Sequence, residues 1–286
     1  MTYLSLNLPM MTFGLIFLFS IIALLMLRRK TKCRLTLARQ HSLGQIINLK
    51  NLIKLSQKHR GISYRVLNSD PSRRVELVNL QRQIESLLSQ LNELNDIDAT
   101  AEYWTSFCDH WSRLQANNLA ISADNNLEQH NRLISVLLAI VEDLIEYGHW
   151  HDIEWQDQNS QIHQLTNLLT AAEWIGQARA LGSGILASGN STSVERIRMN
   201  FLKSKLLEHT HISDQFIQQP LMTMVEMIDQ NLLAEGAASI SSNEYFEIAS
   251  RAIDILMENF DRSAAELTDN DKQQVKLYSE ESAISV

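Results

Sequence analysis

Leu165-Thr166-Asn167-Leu168-Leu169-Thr170-Ala171-Ala172-Glu173-Trp174-Ile175-Gly176-Gln177-Ala178-Arg179 is the stretch on which the fold turns. Leu165, Leu168, Ala172 and Ile175 recur at three- and four-residue spacing, the period of one face of an α-helix. The next position on that face is Arg179, an arginine where packing asks for a hydrophobe. The spacing predicts a helix over about Ser160 to Leu181, with Gly182-Ser183-Gly184 as a break or kink. It also predicts a charge on the inner face, and an inward guanidinium needs an anion.

The same period extends outward in both directions. Helices are predicted over Leu43 to Val66, from Pro71 to about Leu94, and from about Asp98 through Trp104, Phe107, Trp111 and Leu114. Asp70 is a good N-cap for the second of these, with Pro71 in its first turn. A fourth helix covers about Asn125 to Tyr147 and ends at Gly148, and His149 to Gln158 reads as a loop. Beyond the quoted stretch, helices are predicted over Val194 to Leu207 and over Ile212 to Leu233, the latter with Pro220 near its start or at a kink. Ser241 and Glu244 form a capping box for the eighth, which uses Phe246, Ala249, Ile253, Leu256 and Phe260. Past Leu267 the tail is polar and is expected to fray. Only 9 Gly and 3 Pro in 286 residues favour long helices over a turn-rich β fold. The expected class is all-α: an antiparallel multi-helix bundle of about eight helices behind one N-terminal transmembrane helix.

That transmembrane helix is read from residues 10–27, which carry no charge and have about the length that crosses a bilayer as a helix. A cleaved signal peptide would need a positive charge before the run, and residues 1–9 have none. The charges follow instead: Arg28, Arg29, Lys30, Lys32, Arg34 and Arg39. The positive-inside rule then expects an inner-membrane, single-pass protein with the N-terminus outside and the C-terminal region cytoplasmic. The segments expected are a short tail at 1–9, the span at 10–27, a basic juxtamembrane segment at 28–42, a helical domain at 43–267 and a polar tail at 268–286.

Charge is unevenly spread. From Arg28 to Arg82, fourteen Lys and Arg stand against Asp70 and Glu76, while the other eleven face thirty-one acids. The basic part suits an anionic lipid surface. The acidic remainder argues against nucleic acid as a partner. Two cysteines, Cys33 and Cys108, make no disulfide framework.

Arg179 has counterparts on two other helices. Ile46, Leu49 and Ile53 lead through Ser56 to Arg60, and Arg251 lies between Ile248 and Ile255. For each, an internal ion pair with a nearby Asp or Glu is one reading, and snorkelling to water is another. The third is a small-anion site between helices, because a planar guanidinium offers paired donors that match a planar oxyanion.

Three segments carry a family resemblance. Leu55-Ser56-Gln57-Lys58-His59-Arg60-Gly61-Ile62-Ser63 resembles the opening signature of the nitrate- and nitrite-sensing (NIT) domain family. Gly176-Gln177-Ala178-Arg179-Ala180-Leu181 resembles its second signature. Residues Tyr245 to Asp254 resemble its closing helix. The three occur in order, and the likeness covers about Gly44 to Leu267. The resemblance implies a helical sensor that binds nitrate or nitrite through Arg60 and Arg179, with Arg251 as a third candidate. Such domains usually accompany an output module, and none is visible in this sequence. An unidentified signalling protein is therefore the expected partner, with a second copy of the chain as a further candidate. The alternative is a helical adaptor at the membrane that binds no ligand.

Other chemistry finds little footing. His149-Trp150-His151-Asp152 with Glu154, and His209-Thr210-His211, have no further ligands at telling spacing, so no metal is expected. Cys108-Asp109-His110 are helix neighbours that point apart, so they make no nucleophile and base. Trp104 and Trp111 read as bundle core. No phosphate-binding glycine loop is present, and neither an enzyme nor a cofactor is expected.

Overall fold

A computed structural model describes residues 7–68, 71–150, 156–210, 215–234, 236 and 238–284. The side chains of 7–12, 95, 156–159, 215–216 and 274–284 lie outside that description, as does the expected cap Asp70. Among the described residues there are eight α-helices and no strand. They are α1 (Asn7–Leu67), α2 (Arg74–Gln90), α3 (Ala101–Asn117), α4 (Ala123–Tyr147), α5 (Gln156–Ser188), α6 (Ser193–Thr210), α7 (Gln215–Ile228) and α8 (Ser242–Ile284). Short 3₁₀ segments at Pro71–Arg73 and Asn92–Asn95 flank α2, and a π-helical turn at Asp229–Leu233 follows α7.

Helix α1 runs unbroken for 61 residues. The expected span, basic segment and first bundle helix are thus one rod. No proline interrupts it after Pro9, and residues 28–42 are rich in Arg, Lys and Leu, which are strong helix formers. From Phe13 to Leu27 its large hydrophobic side chains are exposed, Phe13 by 73% and Phe19 by 70%. The expectation of a spanning segment is not met among the described residues, where no helix is long and apolar enough to cross a membrane. The described side chains of the run begin only at Phe13, and Arg28, Arg29 and Lys30 follow Leu27 directly.

Helix α5 also outruns its expected end, passing through Gly182-Ser183-Gly184 to Ser188. These glycines permit close approach. A methyl group on Gly182 would stand 2.5 Å from the Tyr245 ring, and one on Gly184 would stand 2.6 Å from the Tyr64 ring. Tyr245 is fully buried and its hydroxyl donates to the Ala178 carbonyl of α5 at 3.1 Å. Helix α8 likewise continues to Ile284 where fraying was expected. Nothing after Gly236 is Gly or Pro, and Leu267 and Asp271 are still fully buried.

Several helix starts follow local capping chemistry. Ser122 accepts from the Asn125 amide at the head of α4. Thr192 and Glu195 exchange hydrogen bonds at the head of α6, and Ser241 and Glu244 do the same before α8, as expected. Pro220 lies inside α7.

The helices form two groups. Helix α1 packs on α2 and α4, with α3 against α4; α5 packs on α8 and α6, with α7 against both α6 and α8. The seam between the groups runs along α1, α4, α5 and α8, and one continuous apolar core crosses it. Lys50 pairs with Asp261 at 2.8 Å and Lys54 with Asp254 at 2.9 Å, which sets α1 and α8 antiparallel.

Candidate functional site

The seam is apolar at one level and polar at the next. On α1, Leu49, Leu52 and Ile53 give way to Ser56, Gln57, His59, Arg60 and Ser63, all buried. The Arg60 guanidinium crosses to α5 and grips Glu173, Nη1 to Oε1 at 2.5 Å and Nη2 to Oε2 at 3.1 Å. Nη1 also donates to Asn131 Oδ1 of α4 at 2.7 Å. Gly176 makes this approach possible, because a methyl group there would stand 2.6 Å from Arg60 Nη2.

Glu173 is the centre of a donor shell. Besides Arg60, it accepts from Gln57 Nε2 at 2.9 Å and from Gln177 Nε2 at 2.9 Å. For Arg60 the geometry is that of an internal ion pair, the first of the three readings.

Arg179 differs. It is 7% exposed, yet its partners are neutral: the Ser250 hydroxyl at 2.9 Å, the Gln57 carbonyl at 3.5 Å and the face of Phe246 at 4.8 Å. Its Nε is buried without a partner. Burial, and then the nearby charge of Arg60, push its pKa down to about 10, still well above neutrality. Two buried guanidinium groups thus share one buried carboxylate, Glu173. Among the buried groups a net positive charge remains, and the exposed carboxylates of Glu247 and Asp254 on α8 act on Arg179 only from farther out.

Two histidines adjoin the pair. His59 Nδ1 and His130 Nε2 are 2.7 Å apart, His130 Nδ1 donates to the Asn126 carbonyl at 2.8 Å, and His59 lies edge-on to Trp111. Burial drives the His59 pKa down to about 3 and His130 well below its ordinary value. Both are neutral at physiological pH and add no charge to the seam.

Of the three arginines singled out in the sequence, Arg60 and Arg179 are brought together and Arg251 is not. Arg251 is exposed, which corrects its expected inward placement. Its apolar neighbour Ile255 is itself 42% exposed, while the buried face of α8 is Ala249, Ala252, Ile253 and Leu256. Glu173 and Gln57, the partners of Arg60 and Arg179, were not among the residues singled out in the sequence. Nor did it mark Arg39 as buried. Arg39 donates to the His149 carbonyl at 2.9 Å and lies over the Trp150 ring.

The remaining candidates resolve as packing. Trp104 and Trp111 are core residues. Cys108 packs half-buried against the core, Asp109 pairs with Arg113, and His110 meets Gln129. Among the described residues no group of three His, Cys, Asp or Glu could hold a metal. His151, Asp152, Glu154 and His211 lie outside them.

Comparison with known proteins agrees with this architecture. A solved structure titled "Structure of the NasR transcription antiterminator" shares the fold with a TM-score of 0.62 at 17% identity, over 86% of this chain and 74% of that one. No curated protein sequence matches the chain. The family described as nitrate and nitrite sensing matches residues 51–268, which include the α1, α4, α5 and α8 residues around Arg60 and Arg179. The chain belongs to the nitrate- and nitrite-sensing family.

Proposed function

We propose that the protein senses a small planar oxyanion, nitrate or nitrite, held between Arg60 and Arg179 at the helix seam. The observation that carries this reading is Arg179: a buried guanidinium without a carboxylate partner, beside a second guanidinium that already has one. Family membership supplies the ligand class. The anion would favour helix arrangements that bring the two arginines together, and a partner protein would read the shift. Arg251, exposed on α8, stays outside this site.

The exposed apolar side chains of α1 support attachment to a membrane through residues 10–27, since exposed apolar runs of this size mark lipid or protein contacts. The flanking cations argue for a cytoplasmic bundle. Because α1 is continuous, the anchor and Arg60 share one rod.

A second reading, a helical adaptor without ligand, draws support from the complete Arg60–Glu173 pair. Titration calorimetry on the full chain in detergent separates the two. Saturable heat with nitrate or nitrite, absent with chloride and lost in Arg179→Met, supports the sensor. Equal, featureless heats for all three anions support the adaptor.

A further inference from the structure

The Arg60–Glu173 pair has the geometry of a bound ligand. A carboxylate presents two coplanar oxygens to the two terminal nitrogens of the guanidinium, and a planar oxyanion presents the same pattern. Glu173 therefore holds the donors that an oxyanion at Arg60 would need. It also holds the Gln57 amide, which could serve a nitrate oxygen equally well, and is itself tied by the Gln177 amide one turn along α5.

We propose that Glu173 is a tethered competitor, an internal anion that occupies Arg60 when the site is empty and is displaced when the oxyanion binds. This rests on the oxyanion reading above and adds the residue that sets its affinity. Arg179 gives the incoming anion its first contact, because no carboxylate is hydrogen-bonded to it and its Nε is unpartnered. The displaced carboxylate has somewhere to go. A groove of about 250 Å3 between α4, α5 and α6 is lined by Asn131 and Gln177, the residues that hold Arg60 and Glu173 from that side. Arg198, exposed on α6, lines the same groove and offers a solvated cation for Glu173. Glu128 also lines it but is paired with Arg132.

Competition and positioning predict opposite signs. If Glu173 competes, removing its charge tightens oxyanion binding; if it only orients Arg60, removing its charge weakens binding. The test is nitrate titration of the full chain as wild type, Glu173→Gln and Gln177→Met. Glu173→Gln should bind nitrate at least about tenfold more tightly, one charged hydrogen bond's worth of competition. Gln177→Met, a milder change that loosens the hold on Glu173 by one hydrogen bond, should tighten binding by roughly twofold to tenfold. It keeps the proposal testable if Glu173→Gln does not fold. Wild-type binding with unchanged or weaker binding in the variants overturns the competitor role and leaves the oxyanion site standing. Binding in Glu173→Gln but not in wild type supports competition strong enough to mask the site. No binding in any of the three overturns the oxyanion reading itself.

Discussion

Arg60 of α1 and Glu173 of α5 meet through two parallel N–H to O contacts with both side chains out of water, 0% and 3% exposed. The pair ties the two helix groups together at their seam. Removing one member leaves the other charge buried and uncompensated, which typically costs about 3–5 kcal/mol. Glu173→Ala should lose that much in chemical denaturation at neutral pH, the more so because Arg179 lies near the orphaned Arg60. A loss under about 1 kcal/mol would mean that the seam admits water freely.

Arg179→Met should act in the opposite direction. A buried cation without a carboxylate costs desolvation that an apolar side chain of similar length does not. Without added anion, the variant should unfold at a denaturant concentration equal to or above that of wild type. A clear destabilisation would show that the Ser250 and Phe246 contacts outweigh the buried charge.

The histidine pair predicts acid sensitivity. The folded-state pKa of His59 is lowered to about 3, from an ordinary value of 6.5, and that of His130 is lowered as well. Below about pH 6.5 the unfolded chain takes up protons that the folded one refuses, so stability falls as pH falls. The melting temperature should therefore drop from pH 6.5 toward pH 4, and His59→Gln should flatten that drop. An unchanged slope in the variant would remove His59 from the account.

Asp271 predicts the reverse dependence. Both carboxylate oxygens are buried without a hydrogen-bond partner, and burial pushes the pKa up to about 6 against the attraction of Arg39. A raised acid pKa means that the charged form is disfavoured in the folded state, so the penalty is present above about pH 6 and disappears as the folded carboxyl protonates below it. Asp271→Asn should melt above wild type at pH 8, with the gap closing toward pH 4. A lower melting temperature at pH 8 would point to a charge interaction that Asp271 requires.

Much of this was legible in the sequence, because it rests on period. The faces that lead to Arg60 and Arg179 are regular, and both residues are where the period puts them. Arg251 misled because Ile255 faces solvent and Ile248 is only partly buried, at the edge of the face built by Ala249, Ala252, Ile253 and Leu256. Glu173 had a signal that went unused: Ile162, Leu165 and Leu169 are all buried and lead to it at three- and four-residue steps. A helix as tightly enclosed as α5 buries more than one stripe, so the period alone does not say which polar position faces which neighbour. The glycines of α5 misled for a related reason. Gly182 and Gly184 read as breakers, but what they do depends on Tyr245 and Tyr64, which arrive from distant segments.

The most direct test of the central claim is a melt of the full chain in nitrate and in chloride at matched ionic strength, for wild type and Arg179→Met. An anion at a hundred times its dissociation constant should stabilise wild type by about 2.7 kcal/mol. The account predicts a nitrate-specific rise in melting temperature in wild type that is absent in Arg179→Met. The same melting temperature in both salts, or a nitrate shift that survives in Arg179→Met, would contradict it.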